Sequence, residues 1–392
     1  MKTYDWIVVG GGITGAALSY ELARVGFSVL LLEQHAALVG ATRYSYGGLA
    51  YWSGTTALTR QLCTAGSARY CLLSAELDTD IQFRELDLLL TISPQDNPEA
   101  TAAAYAHFAT PPQLLNVAEA CALEPLLNPD AIAGALVVKH GHIQPEMATQ
   151  GYTQALLRTG GNRQVSQVLG LLHSGKFGKV LGVKTTTENY YGDNVVICAG
   201  GFSRHLLQAA GIPVRLYFTH AEIIETPPFD IQLRTLVMPA QTKRFQLEAE
   251  SSTADIDQLW NQPGHQPMPA ILDAGAIQFL DGSLRLGQLS RVLTDTNAKV
   301  DATASEAELR KGVGQILPAL QNLPGTWRHC LVGFSSDRLP LVGSITGLEG
   351  IYVFSGFSNP LVIVPPLAQR FANWAAGQQD EMITQLSPNR FV

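Results

Sequence analysis

Charged residues are scarce in this sequence: Asp, Glu, Lys and Arg supply 15% of its 392 residues, where soluble domains usually carry about 25%. With hydrophobic residues at 46%, that scarcity excludes an intrinsically disordered chain. Lysine and arginine form no cluster and the formal net charge is -7, which argues against nucleic acid or anionic membrane as a partner. Long apolar runs are missing too. The longest, such as 29–32 and 361–366, fall far short of the roughly 20 residues that span a bilayer. No charged segment with an apolar stretch behind it precedes the first strand, so no signal peptide is expected. The five cysteines (Cys63, Cys71, Cys121, Cys198 and Cys330) are odd in number, scattered and without a CxxC pair. They read as reduced thiols in a cytoplasmic protein, with neither a disulfide framework nor a metal site. There is no internal repeat and no low-complexity segment.

What is present is a sharp signal at the start. Trp6 to Val9 is a short, fully apolar strand that runs into Gly10-Gly11-Gly12-Ile13-Thr14-Gly15. Leu18, Leu22 and Val25 then recur at helical spacing before Gly26, and Val29 to Leu32 forms a second buried strand that ends at Glu33 and Gln34. A strand-helix-strand of this length is a parallel-sheet unit. A lone GxGxxG carries little weight among 36 glycines, but here its context is complete. Gly10 takes the tight turn, Gly12 lets the backbone approach a pyrophosphate, and Gly15 lets the helix pack on the strand. The helix start offers N–H groups and a positive dipole end to phosphate. Glu33, eighteen residues past Gly15, stands where a carboxylate can accept ribose hydroxyls. The unit predicts a bound dinucleotide.

Further along, the texture changes twice. Strand-like pieces at 86–92 and 135–138 flank a helical stretch at 100–108. A second change, near Arg215, brings alternating strands such as 284–289 and a Gln/Pro-rich loop at 261–269. Fully buried strands return at 195–199 and 351–355. The simplest organisation is a nucleotide-binding domain made of three pieces (1–77, 141–214 and 325–392), with a substrate domain inserted twice (78–140 and 215–324). FAD is preferred to NAD because the fingerprint starts at the chain terminus, and because a late glycine-bearing strand, 351–356, can return to the cofactor's far end.

Several further segments, in order, carry a family resemblance. They are Gly40-Ala41-Thr42-Arg43-Tyr44-Ser45-Tyr46-Gly47-Gly48-Leu49, Leu123-Glu124-Pro125-Leu126-Leu127, Gly141-His142-Ile143-Gln144-Pro145, Val195-Val196-Ile197-Cys198-Ala199-Gly200, Asp337-Arg338-Leu339-Pro340-Leu341-Val342-Gly343 and Ile351 to Gly356. Together they resemble the glycine oxidase, sarcosine oxidase and D-amino-acid oxidase superfamily of flavoproteins over nearly the whole chain, which implies the fold class α/β: a Rossmann-like FAD-binding domain with an inserted α+β substrate domain built on a mainly antiparallel sheet. The resemblance implies FAD held by Gly10, Gly12, Ile13, Thr14, Gly15, Glu33 and Gln34, and by the loop residues Ala41, Thr42, Arg43, Gly47, Gly48 and Leu49. It adds the backbone of Val168 against the adenine, Ala199 and Gly200 at a strand end, and Gly356, Phe357, Ser358, Asn359, Pro360 and Leu361 beside the ring. It also implies a small-molecule substrate, and oxygen or an electron-transfer acceptor as oxidant.

The departures from that pattern bear on the substrate. The late loop has lost its second and third glycines, although Pro360 still suits the first turn of a helix. The lysine with which sarcosine oxidase holds a substrate carboxylate falls at Ile363, and the corresponding arginine of glycine oxidase at Val332. Both carboxylate clamps are absent, which points away from glycine, sarcosine and simple D-amino acids. Cys330 stands seven residues before Asp337, as the flavin-linked cysteine of monomeric sarcosine oxidase stands before its own motif. Arg328 and His329 beside it would favour a reactive thiolate, while its apolar neighbours suit a small core residue.

The remaining candidates are polar side chains for a pocket. Tyr46 and Tyr51 read either as pocket residues or as core or surface tyrosines. Arg43 reads as a partner of pyrophosphate or of a substrate acid, or as a solvated loop residue. His220 and Glu222 share one strand face, as a base with its partner or as a plain sheet pair. Arg285 is either a replacement clamp or the wet side of an amphipathic strand. Lys243 and Arg244 read as solvated. The leading function is an FAD-dependent oxidoreductase that takes a hydride from an amine or modified amino acid. A 2-hydroxy-acid oxidoreductase and a flavin-binding scaffold without efficient turnover are the alternatives.

Overall fold

The computed structural model describes residues 3–175 and 178–391. The apolar run at the start becomes the strand Thr3–Val9, paired in parallel with Val29–Glu33 on one side and Asn189–Ile197 on the other. Continuous apolarity fits that interior place, because both faces of the strand are covered. Trp6 and Val8 enter one hydrophobic core, and Ile7 and Val9 enter another. Asn162–Val165 and Ile351–Ser355 extend the parallel sheet, and Leu341–Ser344 closes one edge in antiparallel sense. Helix Ile13–Arg24 packs on this sheet against helices Pro145–Arg158 and Pro360–Ala375.

A buried ionic network ties the helices on this side together. Glu21, 1% exposed, meets Arg69 at 2.6 Å and Arg24 at 3.0 Å. Arg69, from helix Ala57–Leu77, also pairs with Glu76. Tyr20 donates to the same Glu76.

The second sheet has nine strands, in the order Thr326–Ser335, Leu216–Glu225, Leu284–Arg291, Ile271–Gln278, Leu236–Pro239, Arg84–Ile92, Gly134–His142 and Gly48–Leu49, with Gln113–Leu115 attached to Gly134–His142. It is antiparallel except where Leu236–Pro239 meets Arg84–Ile92. Helix Ala302–Ile316 covers one face, with Leu309 and Val313 in a core with Ile224 and Leu286. The helical stretch expected at 100–108 is shorter, Pro98–Ala104, started by Asn97 capping Ala100 N–H.

Two strands sit on the other side of the expected division. Thr326–Ser335 falls in the 325–392 piece and Gly48–Leu49 in the 1–77 piece, yet both pair in the second sheet. For Thr326–Ser335 the reason is its register with Leu216–Glu225, unbroken from Thr326 opposite Glu225 to Ser335 opposite Leu216. The chain returns to the parallel sheet only at Leu341.

Candidate active site

The fingerprint glycines each answer a contact. Gly10 has a φ of 108°, and a Cβ there would lie 2.6 Å from Cys198 O. At Gly15 a Cβ would lie 1.8 Å from Gly10 O, so helix and strand can approach only without one. Gly12 differs: a Cβ there meets only Thr42 Oγ1, at 3.1 Å. A Cβ at Gly12 would have to displace only that hydroxyl, and only slightly, so the missing Cβ serves whatever lies against the helix start. Thr42 Oγ1 also accepts from Ile13 N–H at 3.1 Å, and Thr14 Oγ1 donates to Cys198 O. Glu33 accepts from Gly11 N–H at 2.7 Å and from His35 N–H at 3.0 Å. Its strand end is level with Val165, which brings Val168, at the start of the next strand, to the same rim. Gln34 is exposed there.

Beside the start of helix Ile13–Arg24 a cavity is lined by residues from both sheets. Ile13, Thr14, Ala41, Thr42, Gly48 and Gly200 line it from the cradle side, and Gly356 to Leu361 from the start of helix Pro360–Ala375. Two helix N-termini therefore face one space, which suits a long anionic ligand. Tyr46 Oη and Ser358 Oγ, both lining it, are buried without a hydrogen-bond partner, and such groups call for a ligand. The residues present fit a flavin dinucleotide.

Other cofactor candidates play supporting parts. Gly47 takes a left-handed turn (φ 75°) where a Cβ would strike Ile143 O. Leu49 is core, and Ala199 caps the turn Gly200–Phe202. None of the three lines the cavity. Arg43 does not line the cavity either and is partly exposed, paired with Glu146 at 3.2 Å and Glu225 at 2.5 Å.

Among the expected substrate residues the structure selects strongly. Tyr46 lines the cavity, and burial holds its phenol far above the ordinary value, hence neutral. Tyr51 does not: its hydroxyl donates to Glu85 outside the cavity. His220 and Glu222 do share a face, but Ala221 and Ile223 are the residues that face the cavity, which leaves the pair on the opposite side. There His220 stacks on His329 at 4.7 Å, and Glu222 takes Arg291 at 2.8 Å and Trp327 at 3.1 Å. Arg285 is 3% exposed rather than wet. It donates to Ser45 O and lies over the Phe279 ring. Burial, and then Arg43, pull its pKa down to about 10.

Cys330 does line the cavity, as does Val332, whereas Ile363 is packed in the core. The charges expected to activate Cys330 act elsewhere: Arg328 faces Glu225 at 3.5 Å, and His329 stacks on the far side of the sheet. Burial instead pushes the thiol up to about 12, against the pull of Arg244 and Arg285. A thiol so placed is a poor nucleophile. The expected result is that acid denaturation releases the flavin, with an intact mass equal to the bare polypeptide for wild type and for Cys330→Ser alike. A wild-type mass higher by one FAD reverses this.

Among the cavity-lining residues that sequence reasoning missed are His140, Asp273 and Arg244. His140 Nδ1 accepts from Trp52 Nε1 at 3.1 Å, and burial lowers its pKa to about 3, so the ring stays neutral. Asp273 accepts from the N–H groups of Lys243 and Arg244 at 2.9 and 3.1 Å, pinning the start of helix Lys243–Ser251. Arg244, expected to be solvated, lines the cavity instead, with its guanidinium over the Phe245 ring. The polar texture of residues 243–251 gives no sign of which side faces inward.

A glycine cradle, two helix ends and a mainly apolar pocket define a nucleotide-binding protein. The profile of the DAO family, FAD-dependent oxidoreductases, matches residues 5–374. The chain belongs to that family, and FAD is its cofactor. It is 24% identical over 378 residues to 4-methylaminobutanoate oxidase (formaldehyde-forming) of Paenarthrobacter nicotinovorans, covering 94% of this chain and 43% of that protein. It is 26% identical over 163 residues to the glycerol 3-phosphate oxidase of Mycoplasma pneumoniae, covering 38% of this chain and 41% of that protein. The match thus spans less than half the length of these relatives. Glycine oxidase from Geobacillus kaustophilus shares the fold over the full length of both chains, with a TM-score of 0.80 at 19% identity. Among the described residues no helix is long and apolar enough to cross a membrane, and no group of His, Cys, Asp and Glu could hold a metal ion.

Proposed function

We propose that this chain oxidises a small amine or modified amino acid at the C–H beside nitrogen, and that oxygen or an electron-transfer acceptor takes the electrons onward. In this reading the first sheet and its helices hold the cofactor, and the second sheet, with Thr326–Ser335 included, walls the substrate. Bound FAD supplies the two-electron acceptor. The protein's part is placement, exclusion of water and stabilisation of negative charge by the start of helix Pro360–Ala375.

The observation that carries the reading is the lack of a competent base among the described residues of the cavity wall. Oxidation of an alcohol must also remove a hydroxyl proton, which calls for a base poised near the working pH. His140, with a pKa of about 3, is too weak. Burial raises the Asp273 pKa, but each of its oxygens accepts a backbone N–H at the start of helix Lys243–Ser251, and those donors favour its charged form, so taking a proton costs it that anchor. An amine needs no such base, because it can bind already deprotonated. Tyr46, neutral and unpartnered, can donate to the substrate without competing for its proton.

The test is anaerobic mixing of the yellow protein with panels of amines and of 2-hydroxy acids. Bleaching of the flavin is expected with an amine, and only poorly with glycine, sarcosine or simple D-amino acids, because Val332 and Ile363 offer them no charge. Bleaching by hydroxy acids alone would move the assignment to alcohol oxidation. Bleaching by neither would leave a flavin-binding scaffold.

A further inference from the structure

We infer that Arg244 forms an anion subsite at the end of the cavity remote from the cradle, and that the amine substrate carries a carboxylate set back from the carbon that is oxidised. The inference rests on the amine reading and adds the position of the charge. Val332 lies on the strand whose Gly333 and Leu331 press against Gly200 and Gly201, so it is close to the cofactor domain. An α-carboxylate would need its partner there, and the wall at that point is apolar.

Arg244 comes from the opposite direction, on helix Lys243–Ser251. Asp273, which pins this helix, and Lys243, its first residue, also line a second pocket that no residue of the glycine cradle reaches. This places Arg244 toward the outer end of the cavity.

The guanidinium there is held but not saturated. Glu248 Oε1 is 3.4 Å from Arg244 Nε, outside hydrogen-bonding geometry, and Nε is buried without a hydrogen-bond partner. Glu248 itself accepts from Thr219 at 2.9 Å. An arginine paired with Glu248 but with a buried donor still to satisfy matches a carboxylate. Arg43 and Arg285 cannot serve instead, since both lie outside the cavity lining.

The holoenzyme provides the test, through two readouts. The first is the kcat/KM ratio for flavin reduction by N-methyl ω-amino carboxylates against uncharged N-methylalkylamines of equal length. Arg244→Met should lower this ratio on the order of a hundredfold, the loss expected when one partner of a desolvated charge pair is removed, and Arg244→Lys should recover part of it. The second is the Kd of simple aliphatic carboxylates, read from the perturbed flavin spectrum, which should weaken in Arg244→Met and needs no turnover. Equal losses for charged and uncharged amines, or a carboxylate Kd unmoved by Arg244→Met, overturn the subsite. Tight, Arg244-dependent carboxylate binding without bleaching by any amine keeps the subsite and overturns the amine reading instead.

Discussion

Gly12→Val protein is expected to fold normally and to be purified without colour. The backbone at Gly12 is extended, with φ at -69° and ψ at -175°, a conformation a β-branched residue adopts without strain. The one neighbour a Cβ would meet is the movable hydroxyl of Thr42. The cost therefore falls on the pyrophosphate, which needs the bare backbone. Gly15→Ala is expected to behave in the opposite way. Its Cβ would lie 1.8 Å from a backbone carbonyl in the adjoining turn, so helix and strand must separate, at a cost of about 3 kcal/mol. Thermal unfolding of the two flavin-free variants beside flavin-stripped wild type makes the comparison, with FAD content measured separately. Gly12→Val protein that remains yellow would show that the pyrophosphate lies elsewhere.

Replacing Arg69 by Met should destabilise the protein by about 3 kcal/mol at neutral pH, the low end of the range for breaking a buried ion pair, because Arg24 retains its contact with Glu21. Burial already raises the Glu21 pKa, in spite of Arg69 and Arg24. Burial pushes Glu76 the same way, but hydrogen bonding and charge from Arg69 outweigh it and hold that carboxyl below its usual range. Glu76 therefore contributes stability above its unfolded pKa and loses it as the pH falls, so Arg69→Met forfeits a contribution that exists only when the carboxylate is charged. Glu21, with its folded pKa raised, binds its proton more tightly when folded, so the variant is relieved as Glu21 protonates. Both effects make the gap between wild type and variant widest above the carboxylate range and narrow it in acid. Urea unfolding at neutral and acid pH checks this, and a gap that does not change with pH would place the role of Arg69 in packing alone.

The success and failure of the sequence reading divide by distance along the chain. The cradle was legible because its logic is local: a buried strand, a turn only glycine can make, and a helix start lie within a few residues of one another. The fully apolar strands at 195–199 and 351–355 likewise revealed interior places in a parallel sheet, because a strand covered on both faces has no polar side to show. Arg43 could not be read, since the carboxylates that turn it away, Glu146 and Glu225, are more than a hundred residues distant in the sequence.

By itself, then, the sequence determined the cofactor fold and the flavin cradle, as well as the absence of charge at Val332 and Ile363. Each of these depends on residue type at fixed local spacing. Only the tertiary structure decided which side of each element meets the cavity. Alternation puts His220 and Glu222 on one face of their strand, but the covering layers decide that Ala221 and Ile223 face the cavity instead. Arg244 enters the cavity wall for the same kind of reason: Asp273, on a different strand, fixes the start of its helix.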